Sequence, residues 1–263
     1  MFKNKKGILI LVISLVSIYL LNVIIGIIPI GKKYKNTVFI GESTKVNIKD
    51  GKIYIYNEDK KITKQQVKIY FKNSFVDGYV TSDQGKSSGV ENSYKLYNTK
   101  GDSLILNSIY LFTTPDIKIS VKKSTTQEID NIDTINNILV LNNLTSDVEL
   151  DYAKIDYLDI DDDKTEEKIY SIGLIKDESD ESEEQEYISF VYLEKDGKYV
   201  LISKSESDYD GISNVRLSFI KSIDFNNDDK YEIVIERMMS EYGPYYYELY
   251  SYGSNKFAKI GGE

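Results

Sequence analysis

Two short acidic stretches are the residues of this sequence best suited to chemistry. DIDDDKTEE begins at Asp159 and DFNNDDKYE begins at Asp224. Alternate side chains of a tight loop can converge on one point, and a hard cation such as Ca²⁺ takes about six to eight oxygen ligands at ~2.3–2.6 Å. The spacing therefore favours a cation site in each stretch, with the backbone carbonyls of Thr165 and Lys230 and water as further ligands. The side-chain ligands would stand at positions 1, 3, 5 and 9 of each stretch: Asp159, Asp161, Asp163 and Glu167, and Asp224, Asn226, Asp228 and Glu232.

Ordinary turns are the alternative for both stretches, because Asp and Asn are favoured where a side chain can bond its own backbone. An EF-hand is excluded, since that loop has Gly at position 6 and Glu at position 12. Here position 6 is Lys164 or Asp229, and position 12 is Tyr170 or Ile235. The identical ligand spacing of two loops favours calcium over simple turns.

The two loops belong to an internal repeat with an offset of 65 residues (224 − 159). AKIDYLDIDDDKTEEKIYSIG aligns without a gap with SFIKSIDFNNDDKYEIVIERM. YISFVYLEKDGKYVLI parallels YYYELYSYGSNKFAKI once the acidic run at 177–186 is treated as a solvated insertion. Each copy is predicted as a strand, the acidic loop, a second strand and a hairpin, with turns at Asp196-Gly197 and Gly253-Ser254.

Four short strands per unit is the layout of a propeller blade. Two blades cannot close a ring. They could pack face to face, lean on the amino-terminal β region, or pair between chains.

The pattern D-x-[DN]-x-D-x-x-x-[DE] between two strands resembles the calcium loop of FG-GAP and VCBS-type repeats, which occur in integrin α-chain propellers and many bacterial surface proteins. The resemblance covers residues 150–262 and implies that the eight loop residues are calcium ligands. The family usually has Gly at positions 4 and 6, where this chain has Asp162 and Lys164, then Asn227 and Asp229. Because Lys adopts a left-handed backbone less readily than Asn or Asp, we expect the second loop to bind more tightly.

Composition excludes several kinds of site. The sequence has no Cys, His or Trp, which rules out disulfides, thiol nucleophiles, imidazole bases and ordinary zinc sites. The net charge is −9, and residues 1–35 contain six Lys and no acid, so the remainder carries −15 (−9 − 6). A body this acidic repels phosphate backbones, and nucleic acid is therefore not expected as a partner.

The amino terminus predicts a membrane anchor. Ile8–Ile30 is an uncharged stretch of 23 residues, and a spanning helix needs about 20 apolar residues. We expect residues 1–6 to be a short cytoplasmic tail and residues 7–31 the transmembrane helix. Lysines flank both ends of the span almost equally, so the outside placement of the large domain follows from the calcium loops, which suit extracellular ion concentrations.

The rest of the chain divides into three predicted regions. Residues 36–123 read as a β-rich domain with a hairpin at Asp50-Gly51. Residues 124–149 read as a connection, in which a short helix through Ile129 and Ile135 is expected and ILVL at 138–141 is open to a strand reading. Residues 150–262 hold the repeats. The predicted fold is mainly β: a transmembrane helix, a membrane-proximal β region and two propeller-blade-like four-stranded repeats.

These features predict a single-pass cell-membrane protein whose extracytoplasmic domain binds or supports other molecules without enzymatic activity. Its cofactor would be Ca²⁺ and its partner an unknown protein or glycan. One alternative is a carboxylate-based glycan hydrolase, which needs two carboxylates ~5–10 Å apart. Another is an accessory subunit of a membrane complex, held through its helix.

Overall fold

A computed structural model of the chain describes residues 34–41, 44–57, 62, 64–82, 94–104, 111–144, 148–176, 186–206, 215–238, 245–254 and 256–260. These residues are mainly β and form three antiparallel sheets, which confirms the predicted fold class at that level. None of the helices in these ranges is both long and apolar enough to span a bilayer. The predicted anchor at 7–31 lies outside the described residues.

Sheet I comes from the amino-terminal half. Its strands are β1 (Thr37–Ile40), β2 (Thr44–Lys49), β3 (Lys52–Asn57), β4 (Gln65–Phe71), β5 (Ser74–Ser82), β6 (Tyr94–Asn98), β7 (Ser103–Leu104) and β8 (Leu111–Thr113). Their order in the sheet is β3-β2-β1-β8-β4-β5-β6-β7. The predicted hairpin joins β2 and β3, and its turn residues Asp50 and Gly51 have φ of 52° and 72°, as a two-residue hairpin loop requires.

The short strand β9 (Ser120–Val121) comes just before the predicted connection, residues 124–149. The connection itself contains β10 (Thr125–Glu128), a 3₁₀ helix (Ile132–Ile135) and α1 (Asn136–Leu141). The strand reading of 138–141 is wrong. The Asn131 side chain accepts a hydrogen bond from the N–H of Asp133 at 2.9 Å and caps the helical segment. Ile135, Ile138 and Leu139 then bury on one face, the spacing of an amphipathic helix.

Each copy of the repeat forms an antiparallel meander of four strands. The first is β11 (Val148–Leu158), β12 (Glu167–Lys176), β13 (Glu186–Lys195) and β14 (Lys198–Glu206), and the second is β15 (Arg216–Asp224), β16 (Glu232–Met238), β17 (Tyr245–Gly253) and β18 (Lys256–Ile260). The first two strands pair in the same register, with Leu158 opposite Glu167 and Ile223 opposite Glu232. The predicted order of strand, acidic loop, strand and hairpin is present in both copies.

One segment, residues 120–128, adds an edge strand to both meanders, and we call it the bridging segment. β10 pairs with β11 and completes sheet II, in the order β10-β11-β12-β13-β14. β9 pairs with the end of β15 and completes sheet III, in the order β18-β17-β16-β15-β9. Each sheet therefore contains the four predicted strands of one repeat and a fifth, edge strand from this segment.

The sheets stack in layers with sheet III in the middle. Leu158, Ile169 and Leu193 of sheet II pack against Leu217 and Ile233 of sheet III. The opposite face of sheet III, with Val234 and Leu249, packs against Val38, Ile40 and Leu111 of sheet I. The helical segment covers the outer face of sheet II. The two copies thus pack face to face and also lean on the amino-terminal sheet.

Strand β15 meets sheet II with an unpaired edge. The free N–H groups of Leu217 and Phe219 donate to Ser189 Oγ and Ser171 Oγ, both at 2.9 Å. The carbonyl of Leu217 accepts from Tyr152 OH at 2.6 Å, and that of Phe219 accepts from Lys154 Nζ at 2.9 Å. Side chains of sheet II therefore satisfy backbone groups that a neighbouring strand would otherwise bond.

Glycine makes room for this arrangement at one position. A Cβ at Gly173 would lie 2.2 Å from Cε1 of Tyr152 and 2.4 Å from the hydroxyl of Tyr187. The Tyr152 ring reaches the β15 edge only because residue 173 lacks a side chain.

We expect Ser171→Ala to lower the free energy of unfolding by about 1–3 kcal/mol, because the buried N–H of Phe219 loses its acceptor. Urea denaturation followed by circular dichroism would measure the change. Ser120→Ala is the matched control, since Ser120 is exposed on β9. Equal stability of the two variants would contradict the role assigned to the Ser171 hydroxyl.

Candidate metal centre

The two acidic loops connect the first and second strands of their meanders, and they have the same hydrogen-bond pattern. The position-1 Asp accepts from the N–H groups of positions 5 and 6, the position-5 Asp accepts from position 7, and the position-9 Glu reaches back to position 2. In the first loop the distances are 3.1 Å (Asp163 N to Asp159), 3.0 Å (Lys164 N to Asp159), 2.7 Å (Thr165 N to Asp163) and 2.9 Å (Ile160 N to Glu167). In the second they are 3.3 Å (Asp228 N to Asp224), 3.1 Å (Asp229 N to Asp224), 3.0 Å (Lys230 N to Asp228) and 3.4 Å (Phe225 N to Glu232).

Positions 4 and 6 have left-handed backbone in both loops. Asp162 and Lys164 have φ of 61° and 71°, and Asn227 and Asp229 have φ of 57° and 61°. Lys164 adopts this conformation, although Lys does so less readily than Asn or Asp. Its N–H donates to the charged Asp159, and a charge-assisted hydrogen bond is strong enough to offset the roughly 1–2 kcal/mol cost of a left-handed residue. Backbone geometry therefore does not distinguish the loops.

The first loop brings three predicted ligands together. Carboxylate oxygens of Asp159, Asp161 and Glu167 lie within 4.8 Å of one another. Lys195, the last residue of β13, enters the same cluster. Its Nζ lies 2.7 Å from Asp161 Oδ2, 2.7 Å from Glu167 Oε1 and 3.6 Å from the fourth predicted ligand, Asp163 Oδ2. An ammonium group thus lies among the oxygens proposed for a metal.

The electrostatics of the first loop reflect this contact. Partial burial opposes the charge on Lys195, but the hydrogen bonds that it donates to Asp161 and Glu167 outweigh that effect and raise its pKa. The pKa of Asp163 is lowered, first by the hydrogen bond from the Thr165 N–H and further by Lys195. Glu167 is buried, and its charge is compensated directly by the lysine.

The second loop has no such compensation. Asp224 and Glu232 are buried, with 2% and 5% of their surfaces exposed. Among the described residues, no cationic side chain forms an ion pair with either of them or with Asp228. Burial, followed by the negative charges of Asp228 and Asp224, raises the pKa of Glu232 to about 7, although the backbone N–H groups of Phe225 and Glu232 oppose the shift.

The remaining predicted ligand, Asn226, is oriented by a contact with sheet I. Its Nδ2 donates to the carbonyl of Gly51 at 2.9 Å and to Asp228 Oδ2 at 3.2 Å. Its Oδ1 is buried and accepts no hydrogen bond from the described residues. A buried carbonyl oxygen without a donor is costly. The second loop offers oxygen donors, which are the ligands of a hard cation, but its carboxylates of Asp224, Asp228 and Glu232 do not all come within 4.8 Å of one another as those of the first loop do. The first loop, in turn, already holds an ammonium.

The two loops are neighbours. Lys122 of the bridging segment forms an ion pair with Asp162 of the first loop, and its Nζ lies 4.4 Å from the ring centre of Tyr231 in the second loop. Asn227 Nδ2 donates to the carbonyl of Lys118 at 2.7 Å. Both loops therefore lie at one end of the stacked sheets, against the chain that leads into the bridging segment.

Sequence reasoning missed Lys195. The alignment of LEKDG with SYGSN matches this lysine with Gly253, whereas the strand pairing of the second copy brings Ser251 to the place beside Glu232. A lysine before a turn ordinarily points into solvent, and only the pairing of β12 with β13 places it against Glu167.

In chelator, we expect the stability of the protein to fall as pH rises from about 4.5 to about 7. A carboxyl group whose folded pKa lies above its unfolded value binds extra protons in the folded state, so the stabilising effect of protonation is lost across that window. For Glu232, whose pKa rises from 4.5 to about 7, the loss is roughly 3 kcal/mol. Denaturation of wild type and Glu232→Gln at pH 5 and pH 8 would measure it, because the amide does not titrate.

The control is Glu166→Gln, which changes an exposed carboxylate in the first loop. It should keep the wild-type pH dependence. If Glu232→Gln kept the wild-type pH dependence as well, the buried carboxylate of Glu232 would not be the source of that pH dependence.

Comparison of the chain with protein-family models, curated proteins and solved structures found no match. The resemblance of the loops to FG-GAP and VCBS-type repeats remains a prediction from the residues quoted above.

Proposed function

We propose that the chain is a membrane-anchored, extracytoplasmic and non-enzymatic protein whose carboxyl-terminal repeats are stabilised by Ca²⁺ in the second acidic loop. Its role is to bind a protein or glycan, or to support an envelope assembly. The observation that carries the calcium proposal is the buried carboxylate of Glu232, close to Asp224 and Asp228 and without a described cationic partner.

The donor chemistry supports a hard divalent cation. The predicted ligands of the second loop are three carboxylates and one carboxamide, all of them oxygen donors, and the chain has no Cys or His to attract a softer metal. Ca²⁺ accepts flexible, irregular oxygen cages, whereas Mg²⁺ requires near-octahedral geometry. A loop that combines side-chain, backbone and water oxygens suits calcium better.

The arrangement of the repeats supports a propeller-blade interpretation. Two four-stranded antiparallel meanders stack face to face, as neighbouring blades do. The stack is covered by sheet I on one side and by the helical segment on the other. In this proposal the pair of blades is a covered module, and a closed ring is not needed.

The non-enzymatic role is supported by the contacts of half-buried carboxylates outside the loops. Glu248 accepts hydrogen bonds from Arg237 and Lys259 at 3.1 and 2.8 Å. Glu236 accepts one from Tyr247 at 3.0 Å, and Asp151 pairs with Arg216 at 3.0 Å. Carboxylates engaged in this way favour a structural role over the acid–base pair of a glycan hydrolase.

Calcium in millimolar excess should raise the melting temperature of the full-length protein in detergent by about 2–6 °C relative to chelator, given extracellular-type affinities and mass action on the folded state. Glu232→Gln should abolish most of this response, and Glu167→Gln should leave it nearly intact. Melting would be followed by circular dichroism, with equimolar Mg²⁺ as the ion control and Glu166→Gln as the matched exposed variant.

Equal melting temperatures in calcium and in chelator would mean that both loops are only turns. A calcium response lost in Glu167→Gln and kept in Glu232→Gln would place the ion in the first loop.

Membrane placement is tested separately. Protease added to intact cells that express the protein should degrade residues 36–263 and leave a short amino-terminal fragment. The uncharged Ile8–Ile30 stretch would anchor the chain, and the calcium loops would suit the outside. Immunoblotting with tags at each end reads out the result, and lysed cells give the control digest. Complete protection in intact cells would contradict the proposed orientation.

A further inference from the structure

We infer that the ammonium of Lys195 is the resident cation of the first loop, so that a metal ion is accepted by the second loop only. The part of this inference that concerns the second loop rests on the calcium binding proposed above. The part that concerns Lys195 rests on its contacts alone.

Lys195 occupies the place that a metal would take. Its Nζ is in hydrogen-bond contact with Asp161 Oδ2 and Glu167 Oε1, both at 2.7 Å, and it lies 3.6 Å from Asp163 Oδ2. These are three of the four side chains that the sequence assigns to the ion. Only 17% of the lysine side chain is exposed, so the contact is partly shielded from water and from screening by salt.

An ion and this ammonium group exclude each other. Calcium ligands lie at ~2.3–2.6 Å from the ion, and Asp161 and Glu167 already direct oxygens at Nζ. Two cations that share these oxygens would be only a few ångströms apart and would repel strongly at low dielectric. Binding of Ca²⁺ would therefore require the lysine to leave, which removes charge compensation from the buried Glu167.

The second copy differs at the corresponding place. β13 pairs with β12 so that Glu194 lies opposite Lys168, and the next residues along these strands, Lys195 and Glu167, are therefore side by side. In the second copy β17 pairs with β16 so that Tyr250 lies opposite Ile233, and the next residues are Ser251 and Glu232. The Ser251 hydroxyl is short and uncharged, and it donates to the carbonyl of Ala258 at 3.4 Å. The strand that supplies a cation to the first loop supplies none to the second.

The two loops thus share one backbone conformation but differ in how the negative charge of their carboxylates is neutralised. The first carries its own tethered positive charge, which is present at every calcium concentration. The second leaves Glu232 uncompensated and the Oδ1 of Asn226 without a described donor. This assignment also explains why four carboxylates in the first loop do not make it the stronger metal site.

The experiment compares full-length wild type with Lys195→Ser, which copies the second loop, and Lys195→Met, which keeps the apolar stem. Isothermal titration with CaCl₂ should give one bound ion per chain for wild type, two for Lys195→Ser, and one for Lys195→Ser combined with Glu232→Gln. Lys198→Ser is the control, because Lys198 is exposed at the next turn, and it should give one.

Two ions in wild type, or a single ion in Lys195→Ser, would overturn the inference. Melting in chelator gives a second readout that does not depend on calcium. Lys195→Met should melt about 5–15 °C below wild type, since it leaves a buried carboxylate unpaired, whereas Lys198→Met should match wild type. If Lys195→Met has the same melting temperature as wild type, the assignment of Lys195 as the resident cation is wrong.

The two failures can be told apart. Absence of calcium binding by wild type would refute the proposed function. In that case a low melting temperature of Lys195→Met would still support the lysine as the resident cation of its loop.

Discussion

A strand edge buried inside a protein must find hydrogen-bond partners for its backbone, and strand β15 meets this requirement through side chains of another sheet. Ser171, Ser189, Tyr152 and Lys154 bond the N–H and carbonyl groups of Leu217 and Phe219. The contact fixes how sheet III crosses sheet II, because the donors and acceptors must match in position as well as in number. It also accounts for two serines that are fully buried on otherwise apolar strands. The stacking that brings both acidic loops to one end depends on this contact.

The two loops show that two copies of a repeat can keep the same backbone conformation while the electrostatic environment of their carboxylates differs. All four residues at positions 4 and 6 share left-handed φ values, and the carboxylates accept from equivalent N–H groups. One difference between them is a side chain on a neighbouring strand, Lys195 in one copy and Ser251 in the other. A single residue outside the loop thus decides whether its carboxylates are neutralised internally. The ligand residues alone do not reveal this.

Local signals in the sequence predicted much of the fold. The Asp50-Gly51 and Asp196-Gly197 turns have positive φ at both residues, which such pairs favour regardless of the surrounding protein. The alignment of the two repeats predicted that Glu167 and Glu232 hold equivalent positions, and each of them begins a strand. The reason is that the same pattern of polar and apolar residues occurs in both copies. The helix at Asn136–Leu141 was ambiguous, since four consecutive apolar residues suit a buried helix or a strand equally well.

The remaining features depend on contacts between distant parts of the chain. Pairing of β13 with β12 places Lys195 in the acidic cluster, and no local pattern encodes that pairing. The serines that bond β15 look like ordinary strand residues in the sequence. The stretch DIKISVKK at 116–123 alternates like a full strand, yet only Ser120–Val121 pairs, because the end of β15 offers just two partners there.

The bridging segment has a consequence for how the protein comes apart. Residues 120–128 pair with β15 through β9 and with β11 through β10, and Lys122 contacts both acidic loops. Separation of the two copies would take this segment away from at least one of them and expose the apolar layer between them. The segment therefore couples the opening of one copy to the other, and we expect the two copies to unfold together although each has its own sheet.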